Sequence, residues 1–95
     1  MLAKNPLDLV PRKLSKDEIV EALRLAIIAE LDAINLYKQL ARSIDDERVK
    51  RVFEDVAGEE KTHVGEFLAL LKMLDEEQVK ELEKGEREVK ELVSK

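Results

Sequence analysis

The 95-residue chain has no cysteine, two prolines, three glycines and only 3% aromatic residues. Without cysteine there is no disulfide staple, no thiolate metal ligand, no Cys-x-x-Cys redox motif and no thiol nucleophile, which excludes a secreted disulfide scaffold. A surplus of positive charge is also missing: 17 Lys and Arg against 22 Asp and Glu leave a net charge of −5. The short basic stretch Arg48, Lys50, Arg51 sits among acids and reads as a solvated helix face, so nucleic acid is not an expected partner. No segment approaches the roughly 20 apolar residues needed to span a bilayer, and the first residues lack the hydrophobic run of a signal peptide. The expectation is one small, soluble, cytoplasmic domain with no membrane partner. Asn and Gln are scarce beside abundant Lys, Glu and Arg, a usage common in heat-adapted proteins and equally typical of long exposed helices.

What is present is helical periodicity. Pro6 and Pro11, with Leu7, Leu9 and Val10 between them, predict an extended arm over residues 1–14, because proline fixes its own φ and restricts its predecessor. Ser15-Lys16-Asp17-Glu18 matches a capping box and predicts a helix start. No Gly or Pro follows until Gly58, and Ile19, Leu23, Ile27, Ile34, Tyr37, Ala41 and Ile44 trace one helical face from which Glu30 is the missing member. Leu25, Ile28 and Leu31 widen the apolar arc beyond what one neighbouring helix covers. Ser43-Ile44-Asp45-Asp46 gathers turn and cap formers, so the first helix should stop near Ser43 and a second start near Asp46. The second face runs Val49, Phe53, Val56, Phe67, Leu70 and Leu74, with Glu60 and His63 in the gap and Met73 expected as core filler. Asp75-Glu76-Glu77-Gln78 predicts a further cap, opening a short helix over residues 75–95 that Gly85 interrupts or ends. The predicted architecture is all-α: an antiparallel two-helix hairpin over residues 15–74 plus a short C-terminal helix.

The chemistry sits where both stripes are broken. Glu30 lies 15 residues before Asp45 and Glu60 lies 15 after, so an antiparallel hairpin brings the two carboxylates level. His63 is one turn beyond Glu60 on the same face, in Glu-x-x-His spacing. Charges on an apolar face cost several kcal/mol each unless compensated, and no Lys or Arg interrupts either stripe nearby; a bound cation is the simplest compensation. A lone Glu-x-x-His arises readily by chance in an acidic helical sequence, and a lone His is often merely hydrogen-bonded, but neither explains the level registration with Glu30.

A carboxylate-bridged two-metal site in a four-helix bundle takes a Glu from each of two helices and a Glu-x-x-His from each of two others. This chain has one histidine and so holds half of that set. Twofold association of hairpins into a ferritin-like four-helix bundle supplies all six ligands and covers the wide apolar arc as well. Tyr37, two turns from Glu30, is either a packed aromatic or a hydrogen-bond partner that steers a ligand. Asp32 and Glu59 are either solvated acids or residues near the cation's route inward. Oxygen and imidazole ligands suit iron, manganese or zinc and argue against copper(I). The two-metal carboxylate geometry favours iron, because two Fe²⁺ ions can deliver two electrons to one O₂.

At these residues the sequence resembles the encapsulated ferritins, the ferritin-like proteins packaged inside encapsulin shells. The resemblance rests on the stretch from Ala29-Glu30-Leu31-Asp32 to Leu36-Tyr37 and on Glu59-Glu60-Lys61-Thr62-His63. It implies a ferroxidase, with Glu30, Glu60 and His63 of two chains holding two iron ions at each dimer interface and Tyr37 close by. By analogy Glu60 would bridge the metals, with Glu30 and His63 as terminal ligands. The resemblance also implies dimers assembled into a larger ring, a decamer, inside an encapsulin nanocompartment whose shell receives the ferric iron. Ala29 and Leu36 depart from the Glu and Trp that some members carry, whereas Asp32 retains an acid. The final residues Leu92-Val93-Ser94-Lys95 lack the apolar, glycine-containing tail by which such cargo usually docks; some members are fused to the shell protein instead, which leaves free cargo and an excised domain as the two alternatives. Two other functions fit the residues: a structural module whose oligomer is stapled by cations without redox chemistry, and a rubrerythrin-like peroxidase, disfavoured because no Cys is present for a rubredoxin centre.

Overall fold

The computed structural model describes residues 12–95, which form three α-helices: α1 (Lys16–Ser43), α2 (Glu47–Leu74) and α3 (Glu76–Val93). Apart from Arg12, Lys13 and Leu14, the extended arm expected over residues 1–14 lies outside the described residues.

The predicted capping box forms at the start of α1. The Ser15 hydroxyl accepts the Glu18 N–H at 3.2 Å, and the Glu18 carboxylate accepts the Ser15 N–H at 3.0 Å. Arg12 folds back over the cap, donating to both oxygens of Glu18, one of them at 2.6 Å. These bonds, the Arg12 bond first and the Ser15 N–H second, hold the Glu18 carboxyl down at about 2. The Glu18 carboxylate likewise raises the pKa of Arg12. Because the folded-state pKa of Glu18 is depressed, its contribution is present above the ordinary carboxylate range and is lost as pH falls toward about 2. Arg12→Ala should therefore move the Glu18 titration upward in an NMR pH series; an unmoved midpoint would show that the guanidinium does not hold the carboxylate in solution.

The turn is short. Ile44 is extended and returns its N–H to the Ala41 carbonyl at 3.4 Å. Asp46 caps α2 by accepting the N–H groups of Arg48 at 2.9 Å and Val49 at 3.4 Å. The Arg48 guanidinium also rests on this carboxylate at 3.1 Å, and its hydrogen bond is the main reason that Asp46 titrates below its ordinary value. Tyr37 then meets Phe53, Glu30 meets His63, and Arg24 meets Asp75, an order that makes α1 and α2 antiparallel.

Only Val20, Ala41, Ala57 and Leu71 are buried hydrophobics among the described residues. Ile28 at 43% exposure, Leu31 at 49%, Val52 at 60% and Leu70 at 46% lie outside the seam. Two helices in contact cover one stripe on each other and no more. The wide arc expected from the sequence is thus left open, and covering each such side chain is worth on the order of 1 kcal/mol. Met73 does not fill the core: it is 76% exposed, because α2 has α1 on one side only and Met73 lies off that seam.

Asp75 is the one residue between α2 and α3. Its N–H returns to the Leu71 carbonyl at 2.9 Å, closing α2, while its carboxylate accepts the Gln78 N–H at 3.0 Å, opening α3. Gly85 neither interrupts nor ends this helix, which runs unbroken through it with no positive φ. A glycine costs a helix about 1 kcal/mol relative to alanine. That is too little to stop a helix capped at its start and braced by pairs such as Glu86 with Lys90 at 3.3 Å.

Candidate metal centre

Glu30 comes from the middle of α1 and Glu60 with His63 from the middle of α2. Their level is set by the short turn, and the small residues Ala33 and Ala57, one turn nearer the turn, let the helices approach; Ala57 is completely buried. His63 Nδ1 stands 3.5 Å from Glu30 Oε2 and 3.5 Å from Glu60 Oε2. Neither contact is a hydrogen bond, and a single ring nitrogen carries at most one proton to share between two carboxylates. Glu30 Oε2 is accordingly buried with no hydrogen-bond partner. Leaving such an acceptor unmet costs about 1–3 kcal/mol, and more when it is charged.

The donor set fits a first-row metal ion. One atom from each of Glu30, Glu60 and His63 falls within 4.8 Å of the others. Two ligands bound to one ion at about 2.1 Å lie no more than about 4.2 Å apart, so a small side-chain adjustment brings all three into range. Two hard carboxylates and one borderline imidazole suit Fe²⁺, Mn²⁺ or Zn²⁺. Side-chain exposure is 20% for Glu30 and 18% for Glu60 but 42% for His63, so the group opens on the side where His63 sits.

The remaining site candidates fall around this cluster. Tyr37 packs edge-on against Phe53 with ring centroids 5.9 Å apart at 61°. Of its two expected roles, the structure displays the packed aromatic. Tyr37 lies seven residues after Glu30 and Phe53 seven before Glu60, so the counting that levels the carboxylates also levels the rings. Phe53, Val52, Val56 and Tyr37 line an apolar hollow of about 190 Å³ toward the turn. Glu59 is exposed, and Asp32 is partly buried.

A helical hairpin that sets one glutamate opposite a Glu-x-x-His has the pattern of a ferritin-like chain, whose two-metal bundles draw on twice that set of residues. Comparison with known proteins agrees. The rubrerythrin family model matches residues 21–95. The chain is 65% identical over 78 residues to a ferritin-like-encapsulin shell fusion protein of Pyrococcus furiosus, a match covering 82% of this chain and 23% of that protein. It is 44% identical over 70 residues to the encapsulin nanocompartment cargo protein EncC of Myxococcus xanthus, covering 74% of this chain and 54% of that one. The chain thus spans about a quarter of the first relative and about half of the second. The crystal structure of the encapsulated ferritin domain from Pyrococcus furiosus superposes with a TM-score of 0.87 at 58% identity, covering 100% of this chain and 98% of that one. The chain belongs to the rubrerythrin family, among the encapsulated ferritins.

Proposed function

We propose that the chain is a ferroxidase: two copies bring Glu30, Glu60 and His63 together, bind two Fe²⁺ ions as substrate and oxidise them with O₂. The orphaned oxygen of Glu30, buried and 3.5 Å from His63, is the observation that carries this reading, because a cation held with Glu60 and His63 would meet it. Four carboxylates from two chains balance the charge of two Fe²⁺ ions, so a pair of copies and a pair of ions neutralise one another. In the reaction each Fe²⁺ gives one electron to O₂, which takes up two protons and leaves as H₂O₂, with two Fe³⁺ as product. The carboxylates of Glu30 and Glu60 would hold the ions and favour the more highly charged product, and His63 would add a nitrogen ligand.

Twofold association is supported by the same open face that exposes His63, since the hairpin leaves Val52 and Leu70 uncovered beside it. The likeness to encapsulated ferritins supports a ring of such dimers, a decamer. The encapsulin names of the relatives support a shell protein as partner and the interior of an encapsulin nanocompartment in the cytoplasm as location. Among the described residues no helix is long and apolar enough to cross a membrane. The exposure of the ligands at an uncovered face equally favours a second reading, in which a divalent cation staples copies together without redox chemistry.

Native mass spectrometry separates these. The expected result is an even number of subunits carrying one pair of irons per two chains, with oxygen consumed as Fe²⁺ is added. Cation-dependent association with no oxygen uptake would favour the staple, and monomers free of metal at saturating Fe²⁺ would overturn both.

A further inference from the structure

α3 leaves the hairpin at a single residue, and the chemistry there ties three helices together. The Asp75 carboxylate divides its two oxygens: Oδ1 accepts the Gln78 N–H at 3.0 Å and caps α3, while Oδ2 accepts Arg24 Nη2 at 2.5 Å from across the molecule. The same guanidinium donates Nε to Gln78 Oε1 at 3.2 Å. Arg24 stands on α1, 51 residues from Asp75, and grips two residues of the α2–α3 elbow with its two N–H directions, a fork that a lysine cannot reproduce. The Asp75 carboxylate is only 20% exposed, so this contact is better shielded than a free surface pair.

Among the described residues no other side-chain hydrogen bond ties α3 to α1. Every residue from Lys80 onward is exposed, including Val89 at 58% and Val93 at 76%. Helix α3 is 18 residues, or about 27 Å, long, so a change of about 10° at the elbow carries its far end through roughly 5 Å. We infer that Arg24 is an angular stay: by holding the Asp75 carboxylate and the Gln78 amide at once, it fixes the direction in which α3 projects from the hairpin. The cap on α3 does not require it, because Oδ1 makes that bond independently; Arg24 sets the angle and not the helix. This device is separate from the metal cluster and stands whether or not iron is oxidised there.

The absence of cysteine makes the test direct. Lys38→Cys on α1 and Glu88→Cys on α3 carry spin labels, and the labelled 95-residue chain is diluted with unlabelled chain so that pulsed electron paramagnetic resonance reads the distance within one protomer. In the Arg24→Met background the distance distribution should broaden and its centre shift by several ångström, with helix content by circular dichroism unchanged. Arg24→Lys, which keeps the charge but loses the fork, should fall between. A distribution in Arg24→Met that matches the parent in centre and width overturns the proposal. If Arg24→Met loses helix content, Gln78→Leu decides, since it removes one arm of the fork and leaves the Asp75 caps intact. Broadening there sustains the stay, and a parental distribution ends it.

Discussion

Replacing Glu60 or His63 by alanine should reduce aerobic Fe²⁺ oxidation to the rate of protein-free solution. In the proposed centre shared by two chains, each substitution would remove two of six ligands, so the loss would be counted twice at every site. Mutation of partners that only orient metal ligands already costs about 10–100-fold, and deletion of a ligand should exceed the upper end of that range. Ferric absorbance after mixing with Fe²⁺ in air is the readout, with oxygen uptake as the independent measure. Neither variant should unfold the chain: His63 is 42% exposed, and Glu60 makes no hydrogen bond whose loss would leave a buried partner unmet. Helix content should therefore match the parent. Rates unchanged in both variants would remove the cluster from the chemistry.

The second large effect is a crossing of stabilities. With all metal chelated, Glu30→Gln should be more stable than the parent by about 1–3 kcal/mol, because it replaces a carboxylate whose one buried oxygen has no hydrogen-bond partner with an amide that can donate to nearby Glu60. For a domain of this size each kcal/mol moves Tm by about 4–8 °C. On adding Fe²⁺ without oxygen the parent should gain stability by mass action, and the variant should gain little, so the order reverses. Thermal melts with chelator and with Fe²⁺ under nitrogen read both halves. A parent more stable than Glu30→Gln in chelator would mean that the carboxylate is satisfied without a cation, and the case for a metal at this point would fail.

Much of this was legible in the linear sequence because it is governed by neighbours. Ser15, Asp46 and Asp75 each cap a helix within three residues of themselves, and that chemistry needs no tertiary context. The turn near Asp45 then converts counting into geometry, levelling Glu30 with Glu60 and Tyr37 with Phe53. Three features escaped. Gly85 signals a stop, yet a stop also needs the left-handed geometry that this glycine does not adopt. Met73 reads as core because methionine is apolar, while its exposure depends on how many helices surround α2. Arg24 looks like an ordinary solvated residue, and its partners are 51 and 54 residues away.

The sequence by itself determined three helices, the starts of all three and the ends of the first two, the level of two carboxylates and an imidazole, and the presence of a single Glu-x-x-His in one chain. All of these follow from bonds and periodicities that span a few residues, extended by the fixed rise of a helix. Only the tertiary structure decided that one oxygen of Glu30 is left without a partner, that the ligand group opens through His63, and that a single arginine on α1 holds the elbow of α3. Those depend on distances between segments far apart in the chain, where small displacements separate a hydrogen bond from an unmet acceptor.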